Sequence, residues 1–260
     1  MDSLDSLFSL RGHVGLVTGA SSGLGAECAR ALAIGGADVA LVARRGDRLN
    51  AVADELRQSW QVNAIPIAAD ITIEAELDRI VAETVAGLGE IDILVNNAGI
   101  APTGRAENYS REKWDAAMAL NVTAPMILSQ KVARRLIERK RPGRIINVTS
   151  VLAYVGSAVY RLAGYTASKA ALANLTRELA VEWAPYGILV NAIAPGWIPT
   201  EATEGGIAKP GNRERMESLT PMGRLGKAEE IRGAVIFLAG AASSYVTGSV
   251  LSVDGGYLSW

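Results

Sequence analysis

Short, almost continuously apolar runs alternate along this chain with longer stretches in which apolar positions recur every three or four residues. Val14 to Thr18, Val39 to Val42, Ala64 to Ala68, Ile91 to Val95, Ile145 to Thr149, Leu189 to Ile193 and Val250 to Val253 read as strands buried on both faces. Between them, Gly25 to Ile34, Asp47 to Ser59, Glu74 to Ala86, Trp114 to Glu138, Tyr165 to Trp183 and Lys227 to Ala239 have helical period. Strand-helix alternation of this kind predicts one α/β domain over residues 1–260, a doubly wound parallel seven-stranded sheet with right-handed crossovers and helices on both faces. Such sheets bind ligands beyond the carboxyl ends of their strands, so chemistry is to be sought just after each apolar run.

Two features stand at such positions. Thr18-Gly19-Ala20-Ser21-Ser22-Gly23-Leu24-Gly25 follows the first strand and opens the first long helix. Glycines there let the backbone approach a pyrophosphate, whose charge is met by the N–H groups and dipole of the helix start, so this turn predicts dinucleotide binding. The second strand ends in Ala43-Arg44-Arg45, where a cofactor without a 2′-phosphate would want an acidic side chain for its ribose. Arginines there predict NADP(H) in preference to NAD(H).

Tyr165 and Lys169 lie four residues apart in a helical segment and therefore share a face. A lysine cation beside a phenol favours the phenolate, which predicts a tyrosine pKa pulled below its ordinary value of about 10. Tyr109 and Lys113 have the same spacing, so the pattern alone does not choose between the two pairs.

Composition narrows the classes. At 260 residues, 49% hydrophobic and 20% charged, the chain is globular, and a net charge of -1 offers no general attraction to nucleic acid or anionic membrane. The basic run from Lys131 to Arg144 reads as the solvated end of an amphipathic helix. Cys28 is the only cysteine, which excludes intramolecular disulfides and cysteine-rich metal sites, and His13, the only histidine, reads as a surface or strand-edge residue, which argues against histidine triads and most zinc chemistry. No metal is expected. Met1 to Leu10 is short, acidic and unlike a signal peptide, and no apolar run is long enough to span a bilayer, so a soluble cytoplasmic protein is expected. Pro199 to Pro221, broken by Gly205, Gly206, Pro210 and Gly211, reads as a lid over the site.

With the glycine turn, Asn96-Asn97-Ala98-Gly99 after the fourth strand, Ser150 after the fifth and Tyr165 to Lys169 beyond it, the whole chain resembles the short-chain dehydrogenase/reductase family. The resemblance implies a catalytic set of Asn121, Ser150, Tyr165 and Lys169, and leaves Tyr109 and Lys113 as a solvated helix start. It implies a cofactor site of Gly19, Ser21, Ser22, Gly23, Leu24, Gly25, Arg44, Arg45, Asp70, Ile71, Asn97, Ala98, Gly99, Tyr165, Lys169, Pro195, Gly196, Ile198 and Thr200. Asp70 and Ile71 would touch the adenine; Ile198 and Thr200 would lie near the nicotinamide carboxamide. The closing Asp254-Gly255-Gly256-Tyr257 resembles the family's end, which commonly packs between subunits of a homotetramer. One departure is visible: fifteen positions separate Ser150 from Tyr165, a little more than is usual, and the extra residues fall within Val155 to Gly164, beside the substrate pocket.

The implied reaction is hydride transfer between NADPH and a small-molecule carbonyl or secondary alcohol, as in a carbonyl reductase or alcohol dehydrogenase acting on a small ketone, a sugar ketone or an aryl ketone. Tyr165 would act as general acid/base, Ser150 would hold the carbonyl oxygen, Lys169 would lower the tyrosine pKa and hold the nicotinamide ribose, and Asn121 would position a relay water. Val151, Leu152, Tyr154, Val159, Tyr160 and Trp197 would make a largely apolar pocket suited to hydrophobic or aromatic carbonyls. A 3-oxoacyl-acyl-carrier-protein reductase, docking through Arg134, Arg135 and Arg139, is the second enzyme reading. A non-catalytic NADP(H)-binding sensor or scaffold is the third.

Overall fold

The structure, a computed structural model, describes residues 4–260, so Met1 to Ser3 of the acidic amino-terminal stretch lie outside the described residues. Seven strands form one all-parallel sheet in the order β3-β2-β1-β4-β5-β6-β7. They are β1 (Val14–Thr18), β2 (Asp38–Ala43), β3 (Ala64–Ala68), β4 (Ile93–Asn96), β5 (Gly143–Val148), β6 (Ile188–Pro195) and β7 (Val250–Val253). Each apolar run became a strand, displaced by no more than about two residues at an end. β6 runs two residues further than its apolar run, because its last pairs extend to Pro195 opposite Val253.

Strand periodicity explains why the inner runs lack a polar face; β7, expected to be buried on both faces, is an edge strand with Leu251 and Ser252 exposed. In β2, Val39 and Leu41 enter one core while Ala40 and Val42 enter the other, and in β4 Ile93 and Val95 part from Leu94 in the same way. The first core is closed by α2 (Gly23–Ile34), α3 (Gly46–Trp60) and α10 (Arg232–Ala239). The second is closed by α4 (Glu74–Leu88), α6 (Ala124–Glu138) and α7 (Ala163–Trp183). The remaining helices are short: α1 (Leu4–Phe8), α5 (Arg111–Met118), α8 (Glu201–Ile207) and α9 (Asn212–Ser218). Between β1 and β4 the strand order reverses, which opens the crevice where a doubly wound sheet binds its ligand.

Three expectations change. The helix predicted over Trp114 to Glu138 is interrupted by a π-helical turn, Ala119–Thr123, centred on Asn121. Pro125 has no N–H to give the carbonyl four residues back, that of Asn121, so an unbroken α-helix cannot run through this point. The stretch 199–221 holds two short helices, α8 and α9, with Pro210 and Gly211 between them. The basic run is only partly a solvated helix end. Lys131 pairs with Asp78, Arg135 and Arg139 share Glu90, and Arg141 reaches Asp92 at 2.6 Å. Two of the three arginines proposed for carrier-protein docking are thereby tied to the protein's own carboxylate. Cys28 is fully buried, and burial pushes its thiol up to about 12. Among the described residues no helix is long and apolar enough to cross a membrane, and no group of acidic, histidine or cysteine side chains could hold a metal ion.

Candidate active site

The glycine turn is braced from β4. The Thr18 hydroxyl accepts from the backbone N–H groups of Asn97 and Ala98, and Asn97 Nδ2 donates to the Thr18 carbonyl at 3.0 Å. Gly25 lies so close to the turn that a Cβ there would sit 2.1 Å from the Gly19 carbonyl oxygen. Gly19 and Gly23 have φ of 67° and 55°, which L side chains rarely adopt. Leu24 packs on the first core and anchors the helix start. Asn97, Ala98 and the glycines thus form a bare backbone cradle, and Ser21, Ser22 and Arg45 crowd its edge: Arg45 Nη2 donates to Ser22 Oγ at 2.9 Å and to Ser21 Oγ at 3.3 Å. An open, N–H-lined turn with guanidinium groups beside it fits a phosphorylated dinucleotide.

Arg44 is exposed and is felt electrostatically by Asp70. Asp70 accepts from the Thr72 hydroxyl and backbone N–H, and these bonds, more than Arg44, hold its carboxyl below the usual range. The Ile71 side chain is buried in the second core, which leaves only its backbone to face a ligand.

Beyond β5, the second group converges. Ser150 is buried at the strand's end, and its Oγ accepts from Leu152 N–H, opening a short 3-10 turn over Val151–Ala153. Tyr165 and Lys169 stand one turn apart on α7, with Nζ 5.7 Å from the phenol ring centre. Asn121 Oδ1 accepts from Ile100 N–H at 2.9 Å, and Nδ2 donates to the Ile100 carbonyl and to Ser168 Oγ. Gly99 closes the ring, since a Cβ there would lie 3.1 Å from Asn121 Oδ1 and 3.4 Å from Lys169 Nζ. All four residues expected to act together are therefore assembled in one place, beyond the carboxyl ends of β4 and β5.

The electrostatics differ from expectation. Burial raises the Tyr165 pKa rather than lowering it, and a hydrogen bond with Ser150 works in the other direction. Burial likewise pushes the Lys169 ammonium down to about 8, which leaves it charged at neutral pH. Its Nζ donates to the Val148 carbonyl. Both Asn121 amide hydrogens are used inside the protein, so a water donating to this residue would meet its main-chain carbonyl or the remaining lone pair of Oδ1.

Tyr109 is not a solvated helix start. It precedes the cap Ser110 of α5, its hydroxyl donates to the Pro102 carbonyl at 3.0 Å, and it lies against Gly164 at the start of α7. Lys113 Nζ donates to the Thr103 carbonyl. Sequence spacing could not separate this bracing pair from Tyr165 and Lys169; the backbone partners do.

On the side where a substrate pocket was expected, Val151, Leu152 and Leu162 form a buried cluster with Tyr160, Tyr165, Trp197, Tyr257 and Leu258 packed against them. Tyr160 and Tyr257 meet the Trp197 ring edge-on, each at 6.0 Å. The longer loop is fixed by a bridge between Gly104 and Leu162, and Tyr160 reaches Gly206 of α8. Val159 and Tyr160 also pack with Ile207, Met216 and Leu225, so the loop and the 199–221 excursion touch. Tyr154 leaves the expected set: it is exposed, and its hydroxyl accepts from Arg177 on the outside of α7. Two polar atoms in this cluster, Trp197 Nε1 and Tyr160 Oη, are buried without a partner.

Pro195 and Gly196 end β6 against the chain's last segment, where a Cβ on Gly196 would lie 2.7 Å from Asp254 Cα. Ile198 is buried, and Thr200 caps α8 and touches Gly23 across the cradle. Glu201, which sequence reasoning missed, reaches back from α8 to Arg45 and Arg48. An acidic residue in an irregular segment carries no local signal of so distant a partner.

The chain is similar to known proteins along nearly its whole length. A family model described as enoyl-(acyl carrier protein) reductase matches residues 19–258. The chain is 41% identical over 253 residues to a gluconate 5-dehydrogenase of Gluconobacter oxydans, covering 96% of each. Among solved structures, a short-chain type dehydrogenase/reductase from Mycobacterium marinum superposes with a TM-score of 0.94 at 38% identity, over 98% of this chain and 99% of that one. A gluconate 5-dehydrogenase from Burkholderia cenocepacia, solved with NADP and tartrate, superposes with a TM-score of 0.92 at 34% identity, over 99% and 100%.

Proposed function

The chain belongs to the short-chain dehydrogenase/reductase family, and we propose that it is an NADP(H)-dependent oxidoreductase interconverting a secondary alcohol and a ketone, with Tyr165 as general acid/base. The observation that carries this reading is the convergence of Ser150, Tyr165 and Lys169, with Asn121 behind them, beside a bare glycine cradle edged by arginine. Residues 1–260 serve as one cofactor-binding and catalytic domain, with 199–221 as the substrate lid. A cytoplasmic homotetramer completes the reading; a lone, buried cysteine and the exposed apolar side chains Val181, Tyr245 and Trp260 support it.

The cradle, with Arg44 and Arg45, would hold the adenosine half of the cofactor, and Asn97 to Gly99, Pro195, Gly196, Ile198, Thr200 and Lys169 the remainder. When bound, the nicotinamide supplies or accepts the hydride. Tyr165 gives its proton to the carbonyl oxygen during reduction and takes it back during oxidation. Ser150 donates a hydrogen bond to the same oxygen as charge develops there. Lys169 replenishes the tyrosine proton, and the Asn121 carbonyl, deprived of its helical donor by Pro125, positions the water that feeds the lysine.

The substrate class we propose is a polyhydroxylated chain such as a sugar acid or sugar alcohol, in place of an aryl ketone. In support, the buried Trp197 N–H and Tyr160 hydroxyl both lack a partner, so a ring shift that admits a polyol would let its hydroxyls satisfy them, which an apolar substrate would not. The gluconate dehydrogenase relatives point the same way. Incubating the protein with NADP+ or NAD+ and a panel of sugar acids, sugar alcohols and aryl alcohols tests it. Reduction of NADP+ by a polyol is the expected result; turnover confined to aryl alcohols would overturn the substrate class, and turnover with NAD+ alone the cofactor.

A further inference from the structure

Arg45 and Arg48 stand at the edge of the cradle, where a 2′-phosphate would be recognised, yet both already hold an anion. The Glu201 carboxylate accepts from Arg45 Nη1 at 3.1 and 3.3 Å, from Arg45 Nη2 at 3.4 Å and from Arg48 Nη1. Arg45 is further committed to Ser21 and Ser22 of the glycine turn, so one guanidinium ties α8 to the cradle. Hydrogen bonds from Arg45 and then Arg48 hold the Glu201 carboxyl at about 2, and it is charged at every working pH. Its position in the chain is well defined: Thr200 caps α8 through a reciprocal bond with Thr203, which places Glu201 in the first turn over the cradle.

We propose that Glu201 is a cofactor-specificity residue that competes with the 2′-phosphate of NADP(H) for Arg45 and Arg48, so that binding of the phosphorylated cofactor exchanges one anion for the other. A 2′-phosphate carries close to two negative charges and asks for the same guanidinium donors. It cannot share them with a carboxylate at hydrogen-bond distance without like-charge repulsion. NAD(H), with no such group, leaves the Glu201 contacts in place. Glu201 therefore narrows the advantage that the arginines give to NADP(H), and the same exchange releases the amino-terminal end of the lid each time the phosphorylated cofactor arrives. The inference rests on the NADP(H) reading given above.

The probes are 2′,5′-ADP and 5′-AMP, which carry the adenosine half without a nicotinamide, titrated calorimetrically into the unliganded protein. Glu201→Gln keeps the shape and removes the charge; Glu204→Gln removes the same charge one turn further on, from an exposed side chain that makes no contact with the arginines. The expected result is that Glu201→Gln tightens 2′,5′-ADP about three- to tenfold, the scale of an exposed carboxylate shared by two arginines, and leaves 5′-AMP within about twofold. Glu204→Gln should leave both ligands within about twofold. Weaker or unchanged 2′,5′-ADP binding in Glu201→Gln, or an equal gain for both ligands or both variants, would overturn the proposal. A wild-type protein that binds 2′,5′-ADP no better than 5′-AMP would instead remove the NADP(H) reading itself, and the exchange with it.

Discussion

Lys169 Nζ donates to the carbonyl oxygen of Val148 at 2.7 Å, so the buried ammonium is tied to the end of β5 by a single backbone acceptor. Burial holds its pKa at about 8, against an ordinary 10.5. Below about pH 8 the lysine is charged in folded and unfolded chains alike. Between the two values the unfolded chain binds the extra proton, so Lys169 makes the folded protein gain stability as pH rises, by up to about 3 kcal/mol. Denaturant unfolding of the cofactor-free protein across this range should show a rise that Lys169→Met flattens. Parallel pH profiles for the two proteins would contradict it.

Tyr165 is held as a phenol by burial, with the Ser150 hydrogen bond opposing. Alcohol oxidation needs the phenolate, so its kcat/KM should climb about tenfold per pH unit through the neutral and mildly alkaline range, while ketone reduction stays level there. Ser150→Ala removes a hydrogen bond that favours the phenolate. It should lower both rates roughly 10²- to 10³-fold and displace the oxidation profile to higher pH. A displacement to lower pH would refute the assignment.

Cofactor choice should follow the end of β2. Ala43→Asp combined with Arg44→Ile supplies the acidic ribose partner and removes one exposed cation. The ratio of kcat/KM for NADP(H) to that for NAD(H) should move toward NAD(H); an unchanged ratio would shift the burden of recognition to Arg45 and Arg48.

Gly25→Ala places a methyl group 2.1 Å from the Gly19 carbonyl oxygen and 2.4 Å from Asn97 Nδ2, both parts of the braced cradle. Neither is the free end of a flexible side chain, so the turn itself must move. A loss of about 1–3 kcal/mol in unfolding free energy is expected, together with loss of nucleotide binding by titration. Gly205→Ala, on α8 in open space, is the control and should change neither strongly.

The architecture was legible because the inner strands are covered on both faces, so the runs at β1, β2 and β4 are apolar at both alternations; β7, at the sheet's edge with Leu251 and Ser252 exposed, carried the weaker pattern. The cradle was legible because its requirement is for glycine at fixed positions, which sequence states outright. What escaped depends on burial and on distant partners. The direction of the Tyr165 shift is set by how deeply the phenol is packed, which a spacing of four residues does not encode. Tyr109 has the same spacing but spends its hydroxyl on Pro102. Tyr154 and Tyr160 are neighbours in one loop, yet one faces Arg177 outside and the other Trp197 inside. The interruption of the helix at Asn121 had a signal, Pro125, four residues downstream.

The central claim, that Tyr165 is the proton donor of an NADP(H)-dependent oxidoreductase, is tested most directly by comparing Tyr165→Phe with Tyr109→Phe. Each is assayed for polyol-dependent reduction of NADP+ and titrated with NADPH. Tyr165→Phe should lose roughly 10²- to 10⁴-fold in turnover and bind NADPH nearly as the wild type does, whereas Tyr109→Phe should remain active. Near-normal turnover in Tyr165→Phe, with activity lost in Tyr109→Phe, would contradict the account.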